Sequence, residues 1–182
     1  MDAPTDEDLI EATLKGDGEG FATLVHRYKR KVFRLAANFA RDRFELDDVC
    51  QDVFLKAYEN LGKFRNDAPF EHWLTRIAVN TCYDLLRKRQ RDCERVPLED
   101  GPSSPADRHA EDALSAQEAR EWLDRALSRL KPEDRLVITL FELEEKTVHE
   151  VARLTGWSEG NVKVRLFRAR KALKGMLGVD DG

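Results

Sequence analysis

The chain has 182 residues, of which 41% are hydrophobic and 36% are charged, a charge-rich composition that is still compatible with compact helical domains. With 31 Lys and Arg against 35 Asp and Glu, the formal net charge is −4. No apolar run approaches the length that spans a bilayer, and the acidic N-terminus lacks the positive-then-apolar order of a secretion signal. These features predict a cytoplasmic protein with no stable membrane insertion.

Helical periodicity runs through the first half of the chain. A first helix is predicted from Thr5 or Asp6, where TDEDLIEATLKG offers a cap, early acids and a terminating glycine. A second helix, GFATLVHRYKRKVFRLAANFA, carries one apolar stripe of residues three or four apart. A third is ELDDVCQDVFLKAYENLG, and a fourth starts near Pro69 and runs through FEHWLTRIAVNTCYDLLRKRQR.

The pattern breaks at RVPLEDGPSSPADRH, which has three prolines, a glycine and paired serines but hardly any apolar residues. Such a segment cannot bury enough surface to fold alone, so it predicts a flexible acidic linker. Helical patterns resume beyond it, and no segment is rich in strand formers. The predicted fold class is all-α, with two small helical domains at 1–92 and 112–178 joined by a linker at 93–111.

The last two helical segments have the spacing of a helix-turn-helix. Thr147 and Glu150 are spaced as a capping box, Gly156 suits a left-handed helix stop, and Ser158 can cap the next helix. Ala152 is small where two crossing helices approach closely, and Val162 supplies the apolar contact. Together with the basic character of the second helix, these signals predict that the motif binds DNA.

The faces of that second helix separate its residues by role. An apolar stripe faces the domain and consists of Val162, Leu166, Ala169, Leu173 and Leu177. In helix-turn-helix proteins the start of this helix meets base edges, which makes these residues candidates for sequence reading: Ser158, Glu159, Asn161, Lys163 and Arg165. The later basic residues are candidates for phosphate contacts: Arg168, Arg170 and Lys171. A helix that binds the membrane surface would need bulkier apolar residues on the stripe. For single lysines, the alternative that they simply lie in solvent remains open.

A second basic segment covers residues 62–95, with 8 basic and 5 acidic side chains, while residues 147–175 have 7 and 2. In the first of these, Phe64, Phe70 and Trp73 occur near the amide of Asn80 and a basic end. Aromatic rings and amides among basic residues suit unstacked bases. The alternative, that Trp73 is simply a core residue at helical spacing, is favoured for that side chain.

Three segments in order resemble the extracytoplasmic-function (ECF) group of bacterial RNA polymerase sigma factors. DDVCQDVFLKAYENLGKF is similar to the family's core-polymerase-binding segment, and FEHWLTRIAVNTCYDLLRKRQR to the segment that recognises and opens the minus-ten element. TVHEVARLTGWSEGNVKVRLFRARKAL is similar to the helix-turn-helix that reads the minus-thirty-five element. The resemblance covers nearly the whole chain and includes the linker between the two domains.

The resemblance implies roles for further residues. One face of the third helix would dock on the clamp coiled coil of core RNA polymerase, through Asp48, Gln51, Asp52 and Leu55. Asn66, Asp67 and Asn80 would border a pocket for a flipped base of the minus-ten element. Arg76, Arg87 and Lys88 would guide the DNA strand or its upstream duplex. The family also implies a polymerase-flap contact, promoter DNA as a ligand and control by an anti-sigma factor.

Other classes of function fit the residues less well. Four histidines and three cysteines lack metal-ligand spacing, and glycine-rich phosphate loops or nucleophile motifs are missing, so neither an enzyme nor a cofactor is expected. Cys50, Cys82 and Cys93 are expected to be mostly buried or inert, and His149 to be a surface residue. Two alternatives stay open at this point: a ligand-sensing regulator that binds a palindrome as a dimer, and an adaptor whose basic helix binds an acidic protein.

Overall fold

In the computed structural model, which describes residues 3–95 and 116–177, every regular element is helical, and the predicted all-α fold class is confirmed. The helices are α1 (Asp6–Leu14), α2 (Gly18–Ala37), α3 (Arg43–Asn60), α4 (Phe70–Arg95), α5 (Ala116–Ser128), α6 (Pro132–Ile138), α7 (Val148–Thr155) and α8 (Glu159–Leu177). A 3-10 turn at Leu61–Lys63 follows α3, and a π-helical turn at Thr139–Leu143 continues α6. Helix α4 runs three residues past the predicted end of the first domain, and residues 96–111 of the predicted linker lie outside the described residues.

The helix ends form where local sequence signals predict them. Thr5 caps α1 and forms a capping box with Asp8. The predicted box at α7 is present, since the Glu150 amide donates to Thr147 Oγ1 at 3.2 Å and Glu150 Oε2 accepts from the Thr147 amide at 2.8 Å. Gly156 ends α7 with a φ of 77°, in the left-handed region. Ser158 Oγ then accepts from the Asn161 amide at 3.2 Å, as expected of a cap for α8.

The N-terminal unit, α1–α4, surrounds a core in which Phe39, Val53, Val79 and Cys82 are fully buried. Helices α1 and α2 approach so closely at Gly20 that a Cβ there would lie 2.7 Å from the Leu9 carbonyl oxygen. Phe64, Phe70 and Trp73 form one aromatic cluster with ring centroids 5.4 to 5.7 Å apart. Trp73 is therefore a packing residue, as its helical spacing suggested.

The C-terminal unit, α5–α8, is built on the apolar stripe of α8. Val162, Leu166 and Ala169 are buried against α6 and α7, whose Leu140-containing turn and Val151 are also buried. The prediction that the stripe faces its own domain is thus confirmed for these three residues; Leu173 is partly buried, and the Leu177 side chain lies outside the described residues. The basic side of α8 is thereby turned outward, away from α6 and α7.

The two units pack against each other, with α6 and α7 lying on α4. The Tyr83 hydroxyl on α4 donates to Glu133 Oε1 on α6 at 2.9 Å. The Tyr83 ring meets Trp157, in the turn between α7 and α8, edge to face at 5.7 Å between centroids. At the end of α2, Asn38 Nδ2 donates to Glu144 Oε1 at 2.7 Å.

The three cysteines occupy different environments. Cys50 and Cys82 are buried in the N-terminal unit, whereas Cys93 is exposed near the end of α4. Burial raises the pKa of the Cys50 thiol to about 11 and that of Cys82 to about 12. In the part of the chain that the structure describes, no three His, Cys, Asp or Glu side chains are grouped to hold a metal ion. None of the helices described there is long and apolar enough to span a bilayer.

Gly156 and Gly160 provide a matched test of the turn. Gly156→Ala should lower the free energy of unfolding by about 1 kcal/mol, because an L side chain is strained at a φ of 77°. Gly160→Ala, in α8 where the added Cβ meets nothing within 4 Å, should instead leave stability unchanged or raise it by up to about 1 kcal/mol. Urea unfolding of both variants measures the difference. Equal effects would show that backbone conformation at Gly156 does not hold the turn.

Candidate nucleic-acid interface

The outer face of α8 presents basic side chains to solvent. Lys163, Arg168 and Lys171 are exposed and lie off the buried stripe, with Lys171 opposite it and Lys163 at its flank. Asn161 is exposed and its Oδ1 accepts from Arg165 Nε at 2.5 Å. Glu159 lies 2.9 Å from His149 Nδ1, which makes His149 a surface residue with a specific neighbour. This face is positive because few carboxylates lie on it.

Two predicted contact residues are engaged by other side chains of the same chain. The Arg165 guanidinium carbon lies 4.5 Å from the Trp157 ring centroid, and its Nη1 is 3.9 Å from Asp134 Oδ1. Cation–π stacking and the nearby carboxylate hold this side chain half-buried at the edge of the stripe. Arg170 donates from Nη2 and Nε to Glu142 Oε1 at 2.6 and 3.1 Å. The exposed basic face therefore contains Lys163, while Arg165 lies beside it.

Sequence reasoning missed two apolar side chains on this outer face. Val164 is 49% exposed and Phe167 is 69% exposed. Both lie between the basic residues, roughly opposite Val162 at 100° per residue. Their exposure could have been predicted from the helical phase, because Val164 and Phe167 lie off the buried stripe. Apolar residues there have no packing partner within the domain, which is typical of a binding surface.

A second candidate surface runs along α4. Arg76, Asn80, Tyr83 and Arg87 share one side of the helix, since their spacings of four, seven and eleven are near whole turns. The Arg87 guanidinium lies 5.7 Å from the Tyr83 centroid, and Arg76 Nη2 would be 3.8 Å from a Cβ at Gly156. Lys88 is exposed one residue beyond Arg87. The C-terminal unit packs on this same side.

The loop before α4 forms an open pocket of about 590 Å³. Asn66, which has a φ of 57°, and Asp67 line it together with Asp6, Arg27 and Tyr28 of α1 and α2. Asn80 does not line this pocket. It lies ten residues beyond Phe70, about 15 Å along the helix, so the structure does not bring it together with Asn66 and Asp67.

A different surface lies on α3, where the predicted polymerase-binding residues Asp48, Gln51, Asp52 and Leu55 are all exposed. The face continues beyond them. Leu55 and Tyr58 are 52% and 54% exposed, and Leu14 of α1 is 57% exposed beside Gly62. Tyr58 is supported from below by Phe21, 5.0 Å between ring centroids. The helical spacing of three residues from Leu55 to Tyr58 could have predicted that Tyr58 shares this face. Leu14 belongs to another helix and joins the face only through tertiary packing.

Comparison with known proteins matches each of the two units to a family model. The family model described as Sigma-70 region 2 matches residues 24–92, and the one described as Sigma-70, region 4 matches residues 120–173. The first match covers all of α3 and most of α2 and α4. It begins after α1, so Asp6 of the pocket and Leu14 of the α3 surface lie outside it. The second covers most of the C-terminal unit, including the helix-turn-helix.

Individual relatives match over most of their length. The ECF RNA polymerase sigma factor SigM of Mycobacterium tuberculosis is 37% identical over 175 residues, covering 96% of this chain and 85% of the relative. The ECF RNA polymerase sigma-E factor of Escherichia coli K12 is 35% identical over 177 residues, covering 93% and 92%.

Two solved structures have the same fold. CnrH in complex with the cytosolic domain of CnrY aligns with a TM-score of 0.63 at 28% identity, over 97% of this chain and 99% of that one. The sigma factor RpoE in complex with the anti-sigma factor NepR from Bartonella quintana aligns with a TM-score of 0.59 at 26% identity, over 88% and 98%. Because two region models and near-full-length relatives agree, the chain belongs to the ECF RNA polymerase sigma factors.

Proposed function

We propose that this chain binds core RNA polymerase and directs it to promoters, with α8 reading the minus-thirty-five element and α4 acting at the minus-ten element. One observation carries the proposal: a capped helix-turn-helix with an outward basic face and a basic α4 lie in one chain with an acidic, apolar α3 surface. A polymerase subunit that must hold both DNA and protein needs all three surfaces. The chemistry of RNA synthesis belongs to the polymerase, and this chain acts beside it in the cytoplasm.

On α8, base reading centres on the exposed start and middle of the helix. Lys163 can donate to guanine acceptors in the major groove, and the apolar Val164 and Phe167 suit the methyl group of thymine. Arg168 and Lys171 supply phosphate contacts, which add affinity without sequence information. Glu159, Arg165 and Arg170 reach DNA by exchanging their present partners within the chain, whereas Asn161 is exposed and only its Oδ1 is engaged.

At the minus-ten element, the pocket formed by Asn66 and Asp67 is the candidate site for a base that has left the stack. Its amide and carboxylate offer edge hydrogen bonds to such a base. Arg76, Arg87 and Lys88 hold the strand or the adjoining duplex through its phosphates. Asn80, which is exposed on the same side of α4, contacts the nucleic acid between Arg76 and Arg87.

The α3 surface is the candidate site for the polymerase clamp's coiled coil. Carboxylates at Asp48 and Asp52 suit a basic partner, while Leu55 and Tyr58 supply the apolar centre that protein interfaces require. In this assignment the C-terminal unit meets the polymerase flap. One solved neighbour is bound to the anti-sigma factor NepR and the other to the cytosolic domain of CnrY. We infer that an anti-sigma factor controls this chain by covering these surfaces.

Run-off transcription with purified core polymerase tests the function directly. On a promoter library, addition of the chain should produce transcripts from a subset of templates that share upstream and downstream elements. Core alone is the control. Absence of promoter-dependent initiation would refute the sigma-factor function, and tight binding of the chain alone to a palindrome as a dimer would favour a conventional regulator.

Substitutions on α8 separate sequence reading from phosphate contact. Lys163→Ala and Phe167→Ala should change which upstream elements are selected from the library. Arg168→Ala should weaken binding to all upstream sequences alike, with a salt dependence reduced by about one phosphate contact. Sequencing the selected templates measures preference. An unchanged preference in the first two variants would contradict the division of this helix.

Leu55→Glu and Tyr58→Glu should each lower affinity for core polymerase by about tenfold or more, because a charge would be buried at the centre of the interface. His26→Glu is the control, since His26 is also exposed on the N-terminal unit but lies on α2, outside the α3 surface. Equilibrium binding to labelled core measures the change. If all three variants bind core equally, the α3 surface is not the polymerase site.

A further inference from the structure

Arg165, in the second turn of α8, is held on several sides by other side chains. Its guanidinium carbon lies 4.5 Å from the Trp157 ring centroid, and its Nη1 lies 3.9 Å from Oδ1 of the buried Asp134. Only 23% of the Arg165 side chain is exposed. Trp157 is held in turn, because its ring meets Tyr83 edge to face with 5.7 Å between centroids. Arg165 therefore has a defined position before any ligand binds.

The side chain of Asn161 is fixed by that arginine. Arg165 Nε donates to Asn161 Oδ1 at 2.5 Å, one helical turn back along α8. A guanidinium group has hydrogen-bond donors and no acceptor, so only the amide oxygen can face it. The backbone is fixed as well, since the Asn161 amide donates to Oγ of the Ser158 cap at 3.2 Å. The Nδ2 amino group is thus the part of the Asn161 side chain that is left for a ligand.

Asn161 also lies where a DNA duplex would reach it. It is exposed in the first turn of α8, and Arg168, seven residues or about two turns later, is exposed on the same side of the helix. In helix-turn-helix proteins this end of the second helix meets base edges in the major groove. An amide that is held there in one orientation can distinguish bases by the direction of the hydrogen bond.

The four bases differ in what they offer to a donor in the major groove. Guanine presents two adjacent acceptors, N7 and O6, whereas cytosine presents only its N4 amino donor. Adenine and thymine each present one acceptor. A freely rotating asparagine can turn its oxygen toward cytosine. For Asn161 that turn would bring the amino group against the guanidinium of Arg165, where two donors would face each other without an acceptor.

We propose that Arg165 is a positioning residue for base reading: it holds the Asn161 amide as a donor, so that α8 selects a base with major-groove acceptors at one position of the upstream element, guanine foremost, and rejects cytosine. This rests on the proposed promoter-binding function. In this role Arg165 keeps its contacts with Trp157 and Asp134 and acts through Asn161. Direct contact of Arg165 with DNA, in exchange for these partners, has different consequences for base preference.

Asn161→Asp tests the direction of the hydrogen bond. Aspartate keeps the shape and the partnership with Arg165 but presents only acceptors, so the selected base should change from guanine to cytosine, whose N4 amino group donates. The measurement is selection from promoters randomised in the upstream element, by holoenzyme reconstituted from the full chain and core polymerase. Asn161→Ala identifies the position that is read. If Asn161→Ala changes no position, or Asn161→Asp still selects guanine there, the proposal is overturned.

Arg165→Met tests the positioning. Methionine keeps an unbranched side chain against Trp157 and removes every donor, so the Asn161 amide is free to turn. Discrimination between guanine and cytosine at that position should fall from about tenfold to about twofold or less. In an Asn161→Ala background the same substitution should leave the base preference unchanged. A further change in that background would show that Arg165 reads DNA itself and would overturn its positioning role.

Arg170→Met is the matched control. The Arg170 guanidinium carbon also lies over an aromatic ring, 5.2 Å from the Phe141 centroid, but its hydrogen bonds go to Glu142 instead of a base-reading amide. This variant should weaken binding to all upstream sequences alike and leave the base preference unchanged.

Thermal unfolding of each variant separates loss of the fold from loss of preference. Should Arg165→Met fail to fold, Asn161→Asp leaves Arg165 in place and still decides the direction of the hydrogen bond. A wild-type chain that selects promoters, beside Asn161 and Arg165 variants with the wild-type base preference, would overturn this inference alone. A wild-type chain that selects no promoter would refute the proposed function.

Discussion

Helix α4 packs on two sides, and the arrangement of the whole described structure depends on this. One side places Leu74, Ala78, Val79 and Cys82 in the core of the N-terminal unit. The other carries Tyr83 to the C-terminal unit, where a single aromatic side chain serves both a hydrogen bond and a ring contact. An amphipathic helix normally leaves its second face to solvent. Here that face is covered by the C-terminal unit of the same chain.

The distribution of charge explains how an acidic chain can bind a polyanion. Several basic side chains are held by carboxylates of the same chain, as Arg170 is by Glu142 and Lys56 by Asp52. Exposed pairs of this kind contribute roughly 0 to 1 kcal/mol, so exchanging a carboxylate for a phosphate is energetically inexpensive. The pairs also mask positive charge while DNA is absent. The net charge of the chain thus says little about the binding surface. The positions of the ion pairs show which basic side chains are already occupied and which are exposed without a carboxylate partner.

The features that could be predicted from sequence are those determined within a few residues. The Thr147–Glu150 box, the left-handed Gly156 and the Ser158 cap each follow from backbone donors that need a neighbouring oxygen or from steric freedom at one position. The buried stripe of α8 followed equally from helical phase. The all-α class and the helix-turn-helix could therefore be predicted from the sequence alone.

What could not be predicted depends on residues far apart in the chain. Arg165 stacks on Trp157 and lies near Asp134, so it is not part of the exposed basic face of α8. The periodicity of the sequence does not indicate this stacking. Asn80 is separated from the Asn66 pocket because α4 is straight and rises along its axis rather than curling back. The burial of Arg135 depends on how the two units meet, which neither unit's own pattern specifies. Sequence patterns thus do not reveal which side chains have a partner elsewhere in the chain, and the assignments of single side chains to a ligand stay predictions.

The cysteines bring a practical consequence for studying this molecule in solution. The thiolate is the form that reacts with electrophiles, and burial with a raised pKa keeps Cys50 and Cys82 protonated and shielded. Cys93 is exposed on the last turns of α4, the helix that both units share. A maleimide dye should therefore attach to one position in the native protein without any substitution. The wild-type chain thus has a single accessible attachment site for a fluorescent dye, near the end of the helix on which the two units meet.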